Sequence, residues 1–313
     1  MKKAIVTGAT GFIGSELVKN LLRKNIEVLA LGRKLWCDVD PLRLSEDAKL
    51  TYFQIDMAEI ETLPQKILDV GWDVGDDCVF YNFAWGGVDK LSDLDVGAQM
   101  RNVGWTASAL MSAAHLSCQR FIHVGTMEEP IAAIYLDLDY NVNSEFNRHV
   151  VYSLAKIASR NVVKVLAQKH TIDVMIATNS HVMGPNDDKD SFLQETLKKL
   201  KYGQDDLVFS TGEQLFDVIS VSDCAEAYSL IGETGIPGSE YWIGSGAARP
   251  LKEYVEIMAS MYPSGSALQF GKFPYNDISM QKEDFSIDLL VLHTGFSPKM
   301  TYTDTVNELF QWL

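Results

Sequence analysis

The chain has 313 residues, 47% of them apolar and 22% charged, and carries a formal net charge of −15. That length and apolar share support one large α/β unit with a smaller attached lobe, and the negative charge argues against nucleic acid or an anionic membrane as partner. No apolar run approaches the ~20 residues that span a bilayer.

Met1, Lys2 and Lys3 lead at once into a short apolar run and a glycine-rich segment. A secretory signal needs a longer apolar stretch and a small-residue cleavage site. Cys37, Cys78, Cys118 and Cys224 are scattered, with no CxxC pair, so free thiols in a reducing cytoplasm are expected. Six β-branched runs follow one another: 3–7, 27–31, 50–54, 78–82, 120–124 and 173–177. Their Val, Ile, Phe and Tyr content predicts buried strands. Amphipathic stretches at 14–24, 97–116 and 151–170 lie between them and predict helices. Strands alternating with helices predict a Rossmann-like, doubly wound parallel sheet. Beyond Thr178 the pattern loosens through Gly184, Pro185, Asn186 and Asp187 to a helix near 191–201. The expected division is a dinucleotide-binding domain over 1–178, with 216–246 returning to it as strand, turn and helix. A smaller substrate-binding lobe is expected over 179–215 and 247–313.

The first strand runs into Thr7-Gly8-Ala9-Thr10-Gly11-Phe12-Ile13-Gly14. Gly8 permits a tight turn, Gly11 lets backbone N–H groups approach a pyrophosphate, and Gly14 allows helix to pack on strand. The TGxxGxxG spacing resembles the short-chain dehydrogenases/reductases. TGATGFIG is similar to their extended branch, which holds nucleotide-sugar epimerases, dehydratases and ketoreductases. The resemblance implies cofactor contacts from Gly8, Thr10, Gly11, Phe12, Ile13 and Gly14. It further implies an adenine-contacting pair at Asp56-Met57 and a cofactor-lining loop at Asn82-Phe83-Ala84-Trp85-Gly86-Gly87, with Ala84 and Trp85 on the cofactor and Gly86 near the substrate. An acidic residue ending the second strand would favour NAD. Here Gly32-Arg33-Lys34 stands instead. Arg33 gripping a 2′-phosphate makes NADP(H) the preferred cofactor, with NAD possible and a solvated charge pair as the plain alternative.

Tyr152 has Lys156 four positions on, and no other tyrosine of the chain has such a lysine. Spacing of four puts both side chains on one helix face. A free Tyr has a pKa of ~10, and a neighbouring ammonium together with a cationic nicotinamide would lower it. Thr126, ending the fifth strand, supplies a hydroxyl to orient the substrate oxygen. The three match the family's Ser/Thr–Tyr–Lys triad. Asn102 is either a relay asparagine or a helix-packing amide.

Related 4,6-dehydratases place Asp then Glu directly after the catalytic Thr, whereas this chain reads Thr126-Met127-Glu128-Glu129. Methionine cannot donate a proton, so the dehydratase reading loses its acid. Glu128 or Glu129 either meets sugar hydroxyls or caps local structure. His181 stands near the family's substrate-facing Asn and is either a sugar contact or a satisfied loop histidine. Met127 and Gly86 complete the expected substrate contacts. No metal site is implied, because the six histidines are isolated from carboxylate or Cys clusters. The leading expectation is NADP(H)-dependent reduction of a nucleotide-linked 4-keto sugar. The alternatives are a 4-epimerase with tightly bound NAD and a non-enzymatic NADP-binding redox sensor, which would not need the Tyr–Lys pair. The resemblance also implies a homodimer through the helices near 97–116 and 151–170.

Overall fold

The inner apolar β-branched runs form strands buried on both faces, as a central parallel strand requires, while the run at Leu50–Gln54 takes the edge and is half-buried. The computed structural model describes residues 1–87, 95–136, 149–187, 191–203, 207–263, 265–274 and 279–313. Its first half contains β1 (Lys3–Thr7), α1 (Phe12–Arg23), β2 (Glu27–Gly32), β3 (Leu50–Gln54), α2 (Leu63–Val70), β4 (Cys78–Asn82), α3 (Val96–His115), β5 (Arg120–Thr126), α4 (Glu128–Leu136), α5 (Val150–His170) and β6 (Asp173–Asn179). The second half adds β7 (His181–Met183), α6 (Phe192–Lys201), β8 (Leu207–Val208), β9 (Leu215–Phe216), β10 (Val218–Ser220), α7 (Val221–Thr234), β11 (Glu240–Ile243), β12 (Arg249–Pro250), α8 (Leu251–Met261), β13 (Leu268–Gln269), α9 (Asp288–Thr294) and α10 (Tyr302–Trp312).

Seven strands form one parallel sheet in the order β11-β6-β5-β4-β1-β2-β3. The chain moves outward from β1 to β3 and then crosses back to β4, so the strand order reverses between β1 and β4. A crevice opens there, at the carboxyl ends of the strands. Register pairs Thr7 with Asn82, and Thr7 Oγ1 donates to Asn82 Oδ1 at 2.9 Å, pinning the two strand ends that flank it.

Alternate residues of each strand feed two cores. On one face Val6, Ala30, Tyr81 and Met175 pack with Leu17 of α1 and Tyr228 of α7, and Leu290 and Phe296 join them from near the C-terminus. On the other face Ile5, Phe80 and Phe121 pack with Leu110 of α3 and Val163 of α5. A third core holds Leu193, Leu197, Leu251, Val255, Val306 and Leu309 in the second half of the chain.

The expected strand near Phe216 does not join the main sheet. β10 pairs with β7, and β9 pairs with β12, in separate two-stranded ladders. β10 then ends at Ser220, whose Oγ caps α7 by accepting from Asp223 N at 3.0 Å. The strand that rejoins the sheet is β11, beside β6. Among the described residues no helix is long and apolar enough to cross a membrane, and no cluster of His, Cys, Asp or Glu could hold a metal ion.

Candidate active site

In the loop from β1 to α1, Ala9 N donates to Leu31 O at 3.2 Å and Gly11 N to Gly8 O at 2.9 Å, and no side chain caps the helix that follows. Gly11 is the N-cap of α1 and has no side chain to cap it, and the first turn carries no acidic residue. Unpartnered N–H groups at a helix start attract an anion. Gly8 has φ +65°, and a Cβ there would lie 2.9 Å from Ala84 N of the loop after β4. A Cβ on Gly14 would run into the Gly8 carbonyl. The turn, Thr10 to Ile13 included, therefore fits a dinucleotide pyrophosphate. Beyond β2, Gln54 Nε2 donates to the Arg33 carbonyl at 3.0 Å and Tyr52 Oη to the Lys34 carbonyl at 2.8 Å. These bonds fix the backbone and leave the Arg33 side chain exposed. Asp56 caps the short 3-10 helix Met57–Thr62, accepting from Ala58 N at 2.9 Å, and Met57 packs on the second core.

The loop after β4 is held from both sides. Ala84 N donates to Thr7 Oγ1 at 3.1 Å. From α3, Asn102 grips Gly86, its Oδ1 accepting from Gly86 N at 2.7 Å and its Nδ2 donating to Gly86 O at 3.0 Å. Both ends of the Asn102 amide are thus occupied by backbone groups, which holds the loop in place. One turn earlier Gln99 Oε1 accepts from Trp85 Nε1 at 2.8 Å, and its Nε2 donates to Gly87 O at 2.6 Å. So clamped, the indole lies over Lys156 Nζ, 3.9 Å from its centroid, and meets Tyr152 edge-on at 6.0 Å.

Thr126, Tyr152 and Lys156 come together beside that loop. Tyr152 and Lys156 share a face of α5, while Thr126 ends β5. Burial raises the Tyr152 phenol above its ordinary value; a hydrogen bond with Thr126 acts the other way, and the Glu128 and Glu129 carboxylates add to the rise. Lys156 is buried, and the cost of burying its charge lowers its pKa to about 8, opposed by Glu129. Its Nζ donates to Val124 O at 3.0 Å. The expected lowering of the tyrosine by its lysine neighbour is absent here. The ammonium is turned to Val124 and Trp85, 6.0 Å from the phenol ring centroid, and desolvation wins. The phenol therefore keeps its proton at neutral pH.

The two glutamates separate in role. Glu129 is 3% exposed. Its Oε1 accepts from Thr126 N at 2.8 Å, and its Oε2 lies 2.7 Å from Arg160 Nε. Arg160 is held in turn by Glu240 at 2.7 Å and by Thr178 Oγ1 at 3.1 Å. Glu128 pairs with His149 Nδ1 at 3.0 Å, and its backbone N donates to Thr126 Oγ1 at 3.4 Å. Met127 lies between them. His181 stands at the start of β7 with its ring 5.7 Å from Phe216. Burial lowers it to about 4, and its Nε2 has no partner among the described residues.

Sequence reading missed Gln99, His149 and Arg160, which have no motif and act through tertiary contacts. It also missed Asp217, a fully buried carboxylate that accepts from Ser245 N at 3.0 Å and from the Ser245 hydroxyl. An Asp between apolar residues in Phe216-Asp217-Val218-Ile219 was the available signal.

The family profile described as the NAD dependent epimerase/dehydratase family matches residues 4–244. The chain belongs to this family. As a member of the NAD-dependent epimerase/dehydratase family it is an NAD(P)-dependent enzyme of the extended short-chain dehydrogenase/reductase group. It is 25% identical to CDP-abequose synthase of Salmonella typhimurium, over 99% of this chain and 97% of that one. It is 24% identical to dTDP-glucose 4,6-dehydratase of Streptomyces niveus, over 99% and 92%. Its fold matches UDP-glucuronic acid 4-epimerase of Bacillus cereus, solved with UDP-glucuronic acid and NAD, with a TM-score of 0.76 at 19% identity, over 99% and 98% of the two chains. In this epimerase/dehydratase member the glycine turn meets the loop after β4 at Ala84, and that loop meets Tyr152 and Lys156 through Trp85.

Proposed function

We propose that this enzyme reduces the keto group of a nucleotide-linked 4-keto sugar with NADPH. The observation that carries the reading is the half-buried Tyr152, hydrogen-bonded with Thr126 at the carboxyl end of β5, whose phenol is held above its ordinary value by desolvation. NADPH, if bound there, would supply a hydride for the keto carbon. Tyr152 donates its hydroxyl proton to the keto oxygen as negative charge develops there, and Thr126 holds that oxygen in line. Lys156, one helical turn beyond Tyr152, would bind the nicotinamide ribose. Gly8, Thr10, Gly11, Phe12, Ile13 and Gly14 hold the pyrophosphate, Ala84 and Trp85 the nicotinamide side, and Asp56 and Met57 the adenine. Arg33, exposed at the end of a second strand without a carboxylate, favours the 2′-phosphate of NADP(H) over NAD. Gly86, Met127, Glu128 and His181 face the sugar. In this reading 1–178 and 216–246 carry the cofactor, while 179–215 and 247–313 carry the sugar nucleotide.

Met127 supports reduction over dehydration, since it stands where related dehydratases hold an acid. The likeness to a CDP-sugar synthase and to dTDP-sugar dehydratases supports a nucleotide-linked substrate. A second reading, a 4-epimerase with tightly bound NAD, is favoured by the fold match to a 4-epimerase solved with NAD. The test is incubation with a 4-keto nucleotide sugar while NADPH absorbance is followed and the product is resolved by NMR. Stoichiometric NADPH loss with appearance of the 4-hydroxy sugar supports reduction. Interconversion of 4-epimers with no NADPH loss, on NAD that copurifies, replaces it with epimerisation.

A further inference from the structure

We propose that Trp85 is a positioning residue whose indole face keeps Lys156 in its ammonium form, with Gln99 as the latch that holds the ring in place. The proposal rests on the reading above for its bearing on catalysis, and on geometry alone for its bearing on Lys156.

A buried ammonium must replace three hydrogen bonds to water. Lys156 is 4% exposed, and it makes one such bond, to Val124 O. Its charged surroundings offer little more. From α4, Glu129 is the carboxylate that favours the charge, yet its oxygens already face Thr126 N and Arg160. Glu128, also on α4, is paired with His149 before α5. Arg160 of α5 is itself a cation, and His123 of β5 is held neutral by burial and by the charges of Lys156 and Arg160. Tyr152 of α5 is held protonated. From α3 the residues facing the loop are the neutral amides Gln99 and Asn102. Among the described residues the remaining partner is the Trp85 face, 3.9 Å from Nζ at the ring centroid. Indole is the best aromatic partner for a cation, and the attraction grows when water is excluded.

The position of that ring is built. Asn102 sets the backbone at Gly86, Gln99 binds the indole N–H, and the same Gln99 amide ties Gly87. A residue packed there for bulk alone would need neither its N–H nor this double clamp. The ring edge also bears on Tyr152, so one side chain sets the spacing of both functional groups.

The measurement is the pH titration of Lys156 by NMR of isotope-labelled lysine side chains, its resonance assigned with Lys156→Arg. It is made on the protein without cofactor, so it stands whether or not the reductase reading does. Trp85→Leu is expected to lower the midpoint by about 1 to 1.5 pH units, a shift of about 10- to 30-fold in the protonation equilibrium. Trp85→Phe keeps a weaker ring face and is expected to lower it by less. Gln99→Ala frees the indole without deleting it and is expected to move the midpoint the same way. A midpoint in Trp85→Leu equal to or above that of the wild type overturns the proposal. Should Trp85→Leu not fold, an unchanged midpoint in both Trp85→Phe and Gln99→Ala overturns it equally. In the assay with NADPH, Trp85→Leu should show a raised KM above neutral pH that recovers on acidification, a rescue that lost packing would not give.

Discussion

Glu129→Ala removes the carboxylate that ties Thr126 to Arg160, and its cost can be worked from the partners it leaves. The Thr126 N–H loses its acceptor inside the fold, which costs about 1–3 kcal/mol. Breaking a buried ion pair outright costs about 3–5 kcal/mol. Arg160 is 21% exposed and keeps Glu240 and Thr178, so only part of that penalty applies. The two effects together give a loss of about 2–4 kcal/mol. Glu129→Gln keeps an acceptor for Thr126 N and gives up the charge, so it should lose about half as much. Urea denaturation followed by circular dichroism at neutral pH reads both variants against the wild type. A loss under about 0.5 kcal/mol for Glu129→Ala, the range of ordinary surface changes, would refute the burial and pairing argument. Equal losses in Ala and Gln would refute the division between hydrogen bond and charge.

Tyr152→Phe should leave folding and NADPH binding intact while turnover falls by about 10²–10⁴-fold; Thr126→Ala should cost less, and near wild-type turnover in Tyr152→Phe would transfer the proton to another group. Arg33→Ala should erase a preference for NADPH over NADH in fluorescence titrations, and a wild type that prefers NADH counts against the assignment. The histidines make the fold acid-sensitive: His123 and His181 are held below 6.5, His181 to about 4, so the unfolded chain binds protons that the folded one refuses. Stability is then complete above pH ~6.5 and falls on acidification, by up to about 1.4 kcal/mol per pH unit for each histidine. His123→Leu should flatten that slope between pH 6.5 and 5 in urea midpoints, and an unchanged slope would exclude His123 as a source. Val96, Met100, Met111 and Val165 are exposed on α3 and α5, so sedimentation at micromolar concentration is expected to show a homodimer; monomer alone would refute it.

The parallel sheet was legible because buried parallel strands are continuous apolar runs and the helices between them are periodic. The glycine turn was legible because its residues are local to one strand–turn–helix passage, and Tyr152 with Lys156 because a helix face fixes their spacing. What could not be read depends on partners far away in sequence. Val218-Ile219-Ser220 looks like any buried strand, and only its pairing with His181-Val182-Met183 takes it out of the sheet. The direction of the Tyr152 shift depends on how far the fold takes the phenol out of water, which no local spacing reveals. Glu128 and Glu129 are alike in sequence, and only the fold turns one inward to Thr126 N and Arg160 and the other to His149.

The return of β11 to the sheet has a bearing on how the molecule comes apart. The edge strand beside β6, the helix α7 over α1, and Leu290 and Phe296 all arrive after residue 180, and they close the same apolar face that β1, β2 and β4 open. The first half of the chain is thus stitched shut by the second. Cut after Asn179, it would keep its glycine turn and its triad but expose Tyr81, Ile122 and Met175 to water. Cofactor binding and the second half should therefore be lost in a single thermal transition, with no foldable fragment left behind to bind dinucleotide by itself.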